Sequence, residues 1–118
     1  MGMDLAIMPL EQAWFGGGLA WNRLSFDRDY DLFGQLHDFD GKGKIKANPL
    51  PPGASIGHYE DEGLRQETTD PYGTPLTWAP AVALKKLKES ERTTPWNKAI
   101  LAFINALPDE TVVVLWWH

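Results

Sequence analysis

The sequence predicts an α+β domain, in which about three helices pack on a small mixed or antiparallel sheet. The clearest helical signal is in residues 95–107, where apolar side chains recur at helical spacing after a Thr-Pro pair. The clearest strand signal is in residues 111–117, a run of β-branched and aromatic side chains without a polar gap. Because strand-like and helix-like segments do not alternate regularly, we do not expect a repeated βαβ arrangement.

The N-terminal segments are predicted to be strands of the same sheet. Residues 4–10 form a short apolar run, but Pro9 lies inside it, so this strand should end there or lie at a sheet edge. Three consecutive glycines at 16–18 predict a tight turn before a second strand at 19–26. We expect Met1-Gly2 to be an addition ahead of a natural start at the third residue.

The predicted helices cover residues 27–37, 78–89 and 95–107. Asp27 is the expected N-cap of the first, because its carboxylate can accept an amide hydrogen of the first turn. Thr94 is the expected N-cap of the last, with proline at the first helical position. The face of this last helix that we expect against the core consists of Trp96, Ala99, Ile100, Phe103, Ile104 and Leu107.

The strand at 111–117 is predicted to lie inside the sheet with both faces covered. Successive residues of a strand point to opposite faces, so Trp116 and Trp117 cannot enter the same core layer. One of them should therefore cover a second layer, formed by a helix, or line a surface groove for a partner.

Residues 38–76 are predicted to be a long Pro/Gly-rich loop or a hairpin insert within a single domain spanning 1–118. The prolines at 48–53 favour extended backbone outside a central strand. The sequence Asp-Pro-Tyr-Gly at 70–73 predicts a turn that joins the flanking segments as a small hairpin.

Composition excludes several classes of function. The 118 residues include 11 Lys and Arg, 16 Asp and Glu, and no cysteine, which gives a net charge of −5. The lack of cysteine excludes disulfides and thiolate chemistry, and an acidic chain is not expected to bind nucleic acid. Two short basic stretches, at 42–46 and 85–88, are interpreted as solvated surface. We expect no membrane contact, no cofactor, no metal site and a cytoplasmic location in a bacterial host.

Residues 27–34, with the sequence DRDYDLFG, resemble the Arg-Asn/Asp-Tyr-x-Leu-Phe motif of small phage and bacterial proteins. In those proteins the motif opens a helix after an N-terminal strand, and the chain closes with an apolar strand that ends in aromatics. Residues 113–118, VVLWWH, are similar to that ending, although His118 stands where an aspartate is usual. The resemblance covers about a third of the chain, and it implies a phage or prophage context without implying an activity.

Residues 58–62 provide the candidate catalytic side chains His58, Glu60, Asp61 and Glu62. An imidazole beside carboxylates suits general acid–base chemistry or metal binding, but the same pattern is typical of an acidic exposed loop. A small hydrolase or transferase, with Arg28 holding an anionic substrate, is therefore the alternative function.

The leading hypothesis is a non-enzymatic interaction protein of phage or prophage type, which binds a protein partner through exposed aromatics and the central loop. A third hypothesis is a self-assembling structural subunit in which residues 4–10 pair between chains, and the sequence does not fix the oligomeric state. The candidate binding residues are Arg28, Asp29, Tyr59, Tyr72, Trp78 and Trp117. The competing interpretation is structural, with Arg28 and Asp29 fixing the strand–helix corner through a cap and a salt bridge.

Overall fold

The structure is a computed structural model that describes residues 3–10, 12–14, 17–20, 23–60 and 63–118. It confirms the α+β class, with two sheets and short helices. The strands are β1 (Leu5–Pro9), β2 (Gln12–Trp14), β3 (Gly17–Ala20), β4 (Leu24–Ser25), β5 (Asn48–Pro49), β6 (Ser55–Glu60), β7 (Gly63–Glu67), β8 (Thr77–Pro80) and β9 (Val112–Trp117). The helices are α1 (Tyr30–Phe33), α2 (His37–Asp40), α3 (Ala81–Leu84) and α4 (Pro95–Ala106).

The first sheet has the strand order β4-β1-β9-β8-β5, and its pairs are antiparallel. The second sheet has the order β2-β3-β6-β7 and is mixed, because β3 and β6 run parallel. Strands β1 and β4 from the N-terminal part therefore share one sheet with β9, which lies between β1 and β8. The strand predicted at 19–26 is divided, because its start belongs to β3 in the second sheet and its end to β4 in the first.

Strand β9 is the interior strand that the sequence predicted, because its residues 113–117 are buried on both faces. Val113, Leu115 and Trp117 face the core beneath the helices. Val114 and Trp116 face a second cluster, which includes Ile56 of β6, Leu76 and Met8. The second face is thus covered by the second sheet and the segment before β8, rather than by a helix. The two tryptophans lie in different layers, as strand geometry requires.

Helix α4 begins as predicted, but its buried face is shifted, so that Ile100 and Ile104 lie in the core as expected while Trp96 and Phe103 do not. The Thr94 side chain accepts a hydrogen bond from the Asn97 backbone N–H, and Pro95 occupies the first turn. The residues buried are Asn97, Ile100, Leu101 and Ile104, whereas Trp96 is 54% exposed and Phe103 41% exposed. Asn97 can be buried although it is polar, because both ends of its side-chain amide are hydrogen-bonded. The amide N–H donates to the Asp27 carbonyl, and the amide oxygen accepts from the Asp27 N–H. Trp96 stays at the surface, where its indole N–H donates to the Ser25 carbonyl.

The helix predicted at 27–37 is interrupted after one turn. Asp29, not Asp27, caps α1, since its Oδ1 accepts from the Leu32 N–H at 3.0 Å. The chain then leaves helical geometry at Leu36, which is buried and forms a parallel bridge with Ile45 before α2 begins. The free energy gained by burying the Leu36 and Ile45 side chains exceeds the gain from another turn of helix.

The helix predicted at 78–89 is reduced to the single turn α3, because its first three residues belong to a strand and the residues after Leu84 are not helical. Trp78 and Ala79 pair with β9 as part of β8, and helical residues are confined to α3. Pairing with β9 is more favourable here than a helix, because it places Ala79 fully inside the core beside Val113. The segment 85–88 continues from α3 as a turn with extended residues.

The region 38–76 contains α2 and three strands instead of continuous loop. Strands β6 and β7 form a hairpin, and β5 extends the first sheet at its edge. The predicted turn at 70–73 is present, since the Gly73 N–H donates to the Asp70 carbonyl at 2.9 Å. The Asp70 carboxylate reinforces this turn by accepting from the backbone N–H groups of Tyr72 and Thr74. The residues before and after it are bridged at Thr69 and Pro75.

Candidate functional site

A concave site of about 440 Å³ lies where the α1–α2 connection, residues 42–45 and the segment after α3 meet. Its lining residues are Gly34, Gln35, Lys42, Gly43, Lys44, Ile45, Lys86 and Lys88. We call it the lysine cleft. Its volume lies within the range of about 300–1,000 Å³ that is usual for ligand sites.

One wall of the lysine cleft is formed where two backbone segments approach closely. The Ile45 N–H donates to the Gln35 carbonyl at 3.0 Å, and the His37 N–H donates to the Ile45 carbonyl at 2.8 Å. Gly43 is buried against this junction, and a Cβ at that position would lie 2.5 Å from the carbonyl carbons of Gln35 and Leu36. Glycine is therefore required for residues 42–45 to lie this close to the end of α1.

The opposite wall is held in place by the side chain of Gln35. Its Nε2 donates to the Lys88 carbonyl at 2.9 Å, and its Oε1 accepts from the Lys88 N–H at 2.9 Å. The same Nε2 also donates to the Asp31 carbonyl. The Gln35 side-chain amide thus forms the same two hydrogen bonds with the Lys88 backbone that a paired peptide group would form. This contact joins two segments that are 53 positions apart in the sequence.

The cleft concentrates positive charge in a chain that is acidic overall. Lys42, Lys44, Lys86 and Lys88 are all exposed, and none forms a salt bridge with a residue in the described ranges. Each pair is separated by a single residue, so two lysines come from each side of the cleft.

Neighbouring charged groups outside the cleft are already occupied. Lys85 directs its ammonium to the Asp109 carboxylate and the Leu107 carbonyl, both at 2.7 Å. The Asp40 carboxylate accepts from the Lys42 backbone N–H, and that of Asp31 accepts from the Ser90 hydroxyl. Among the described residues, none of these three carboxylates forms a salt bridge with a lysine of the cleft.

The sequence-predicted residues at the strand–helix corner have structural partners. Arg28 donates to both carboxylate oxygens of Asp4, from Nε at 3.0 Å and from a terminal nitrogen at 2.8 Å. These hydrogen bonds lower the pKa of the Asp4 carboxyl below its ordinary value and raise that of Arg28. Asp29 is buried and caps α1, so both residues fit the structural interpretation.

The aromatic candidates are dispersed. Trp117 is only 4% exposed and packs edge-on against Phe33, so it belongs to the core and not to a partner surface. Trp78 is half-buried against the second cluster, and Tyr72 lies exposed on the turn after β7. None of the three lines the lysine cleft.

The candidate catalytic residues fall largely outside the described part of the chain. The backbones of His58, Tyr59 and Glu60 belong to β6, but their side chains are not among the described groups. Asp61 and Glu62 lie outside the described residues altogether. Within the described ranges, no cluster of three or more His, Cys, Asp or Glu side chains could hold a metal ion. Nor is any helix there long and apolar enough to cross a membrane.

Sequence reasoning identified both basic stretches but assigned neither to a site. The available signal was that the lysines of an acidic chain are concentrated in two short stretches, at 42–46 and 85–88. Their convergence depends on Gln35 and Gly43, whose roles appear only in three dimensions.

No family model, no curated protein and no solved structure matches this chain.

Proposed function

We propose that this protein is a non-enzymatic interaction protein that holds an acidic segment of a protein partner in the lysine cleft. The observation that carries the proposal is the convergence of Lys42 and Lys44 with Lys86 and Lys88 around one concave site. The phage or prophage context belongs to the same proposal, and its support is the resemblance of residues 27–34.

Charge complementarity explains why this site would prefer an acidic ligand. Each ammonium–carboxylate pair at about 4 Å contributes about 1 kcal/mol in water, and more where a concave wall excludes solvent. The negative charge of the rest of the chain repels a diffuse polyanion, while the cleft attracts a local one. An acidic peptide segment carries its negative charge over a short length of chain. Its long side chains can reach into a cleft of about 440 Å³.

No observation on the described residues favours the alternative of a hydrolase or transferase. That alternative needs the Arg28 guanidinium to hold an anionic substrate, and Asp4 already binds it through two oxygens.

The test is a binding measurement by fluorescence anisotropy, with a labelled glutamate-rich peptide and the same peptide carrying glutamine. The reversal variant Lys42→Glu with Lys86→Glu should weaken binding of the glutamate peptide by about tenfold or more, because attraction becomes repulsion at two points. The matched control is Lys46→Glu with Lys98→Glu, which makes the same change in net charge at exposed lysines outside the cleft.

The control variant should keep binding within about threefold of the parent protein, because neither Lys46 nor Lys98 lines the cleft and exposed charges act weakly through solvent at physiological salt. Equal losses in the two variants would show that only net charge matters, and the cleft would then lose its role. Circular dichroism checks that both variants remain folded.

A further inference from the structure

We infer that the anionic group which the lysine cleft binds is a phosphate, carried by a phosphorylated segment of the partner. This inference rests on the proposed function, because it concerns the same site, and it names the chemistry of the ligand.

The cations of the cleft are all lysines. Arginine presents a planar fork that matches two oxygens of a carboxylate or of a phosphate, whereas lysine acts as a point charge with rotatable donors. Arg28 shows the former arrangement in this protein, where it binds Asp4 through both oxygens. No arginine lines the cleft, so the site offers charge and rotatable donors instead of a fixed fork, and it selects its ligand by the amount of negative charge.

The amount of charge also favours phosphate. A phosphorylated side chain carries about −1.5 to −2 charges and three acceptor oxygens near neutral pH, compared with one charge and two oxygens for a carboxylate. Lys42, Lys44, Lys86 and Lys88 bring four cations, and described acidic side chains neutralise none of them. A single tetrahedral group can accept from several ammonium groups at once, whereas separate carboxylates would each need to be positioned.

The shape of the wall permits several lysines to act on one group. Gly43 is buried and places no side chain between Lys42 and Lys44. On the other side, Gln35 fixes the Lys88 backbone, so the second pair starts from a defined position. The long methylene chains can then bring their ammonium groups to a shared point.

A nucleic acid would present phosphates too, but it needs an extended basic track. The four lysines of the cleft form a local group, and the chain as a whole is acidic. Phosphate on a short protein segment fits a local positive site better.

The experiment compares four probes by anisotropy or calorimetry at the same ionic strength. They are a peptide with one phosphoserine, the same peptide with glutamate at that position, inorganic tripolyphosphate and a single-stranded DNA oligonucleotide. We expect the phosphoserine peptide to bind about tenfold more tightly than the glutamate peptide. We also expect the variant Lys42→Gln with Lys86→Gln to remove most of that difference, while Lys46→Gln with Lys98→Gln keeps it.

The pH dependence provides a second readout. The second ionisation of a phosphate ester has a pKa of about 6, so lowering the pH from 7.5 to 5.5 should weaken phosphopeptide binding about two- to fivefold. The glutamate peptide, whose carboxylates titrate near pH 4.3, should change little over the same range.

Each outcome separates the two proposals. Equal binding of the phosphoserine and glutamate peptides would overturn the phosphate inference and leave the proposed function standing. Binding of tripolyphosphate without either peptide would support phosphate chemistry from a small molecule and overturn the protein partner. Tighter binding of the oligonucleotide than of the phosphopeptide would overturn both, as would the failure of every probe to bind.

Discussion

Substitution of Gly43 by alanine tests the architecture of the lysine cleft directly. An alanine Cβ would lie 2.5 Å from the carbonyl carbons of Gln35 and Leu36 and 2.6 Å from the Gln35 carbonyl oxygen. Ordinary carbon contacts are about 3.5–4.0 Å, so the two backbone segments must separate by roughly 1 Å. Because the obstacles are backbone atoms, no rotamer change can relieve the overlap.

The expected cost follows from this displacement. Overpacking of this kind costs about 1–3 kcal/mol. The movement also strains the two hydrogen bonds that join Ile45 to Gln35 and His37, each contributing about 1 kcal/mol. We therefore expect Gly43→Ala to lower the free energy of unfolding by about 3 kcal/mol, measured by urea denaturation with tryptophan fluorescence.

The matched control is Gly41→Ala, only two positions away. Gly41 has φ of 78° and ends α2, but nothing lies within 4 Å of its would-be Cβ. Its substitution should cost only the strain of a left-handed alanine, about 1–2 kcal/mol. If Gly43→Ala proves no more destabilising than Gly41→Ala, the close approach of the two segments is not as described, and the account of this wall fails.

Three further substitutions probe the rest of the fold. Asn97→Ala should cost about 2–4 kcal/mol in urea denaturation, because it leaves the N–H and carbonyl of Asp27 without their amide partner; a loss below 1 kcal/mol would contradict this. Leu115→Ala should cost about 2–5 kcal/mol in the same assay, since this side chain is buried at the centre of β9, and a mild effect would argue against an interior strand. Asp4→Asn removes the ion pair with Arg28, and the lowered pKa of Asp4 fixes the sign of the pH dependence. The pair stabilises the fold above the ordinary pKa and is lost as the pH falls through the lowered one, so parent and variant should differ at pH 7 and converge below about pH 4.

Local chemistry made part of the fold predictable from sequence. The apolar run at 112–117 has no polar residue to face solvent, so burial on both sides was the only stable arrangement for β9. The start of α4 was predictable because Thr94 and Pro95 satisfy the first turn within a few residues. In both cases the deciding interactions lie within the segment itself.

The errors occur where distant residues decide the local structure. Leu36 continues the helical pattern of α1, but its bridge to Ile45 pulls it out of the helix. Trp78 is compatible with a helix start, but pairing with Val114 of β9 makes it part of a strand. On α4, Asn97 displaces an aromatic side chain from the core because its amide binds the backbone 70 positions earlier. The periodicity of the sequence carries no information about these distant partners.

The candidate site could not be predicted from the sequence for the same reason. Each lysine stretch by itself is typical of solvated surface, and most such stretches are no more than that. The site exists because residues 42–44 and 86–88 are brought together by Gln35 on one side and by the Gly43 approach on the other. Charge that is unremarkable on two separate segments becomes a local positive potential once the segments share a concave wall.

This convergence has an energetic consequence that distinguishes a binding site from a structural feature. Unpaired ammonium groups on one surface repel each other, so the lysine cleft should destabilise the unliganded protein at moderate salt. We expect Lys42→Gln with Lys86→Gln to raise the free energy of unfolding by about 0.5 kcal/mol at about 0.1 M salt, where screening within about 10 Å leaves the repulsion between neighbouring lysines but weakens the effect of the distant acidic residues. The gain should vanish near 1 M salt, where screening acts within about 3 Å. If these lysines instead stabilised the fold through contacts of their own, the variant would be less stable at both salt concentrations, and a ligand would no longer be needed to account for the cluster.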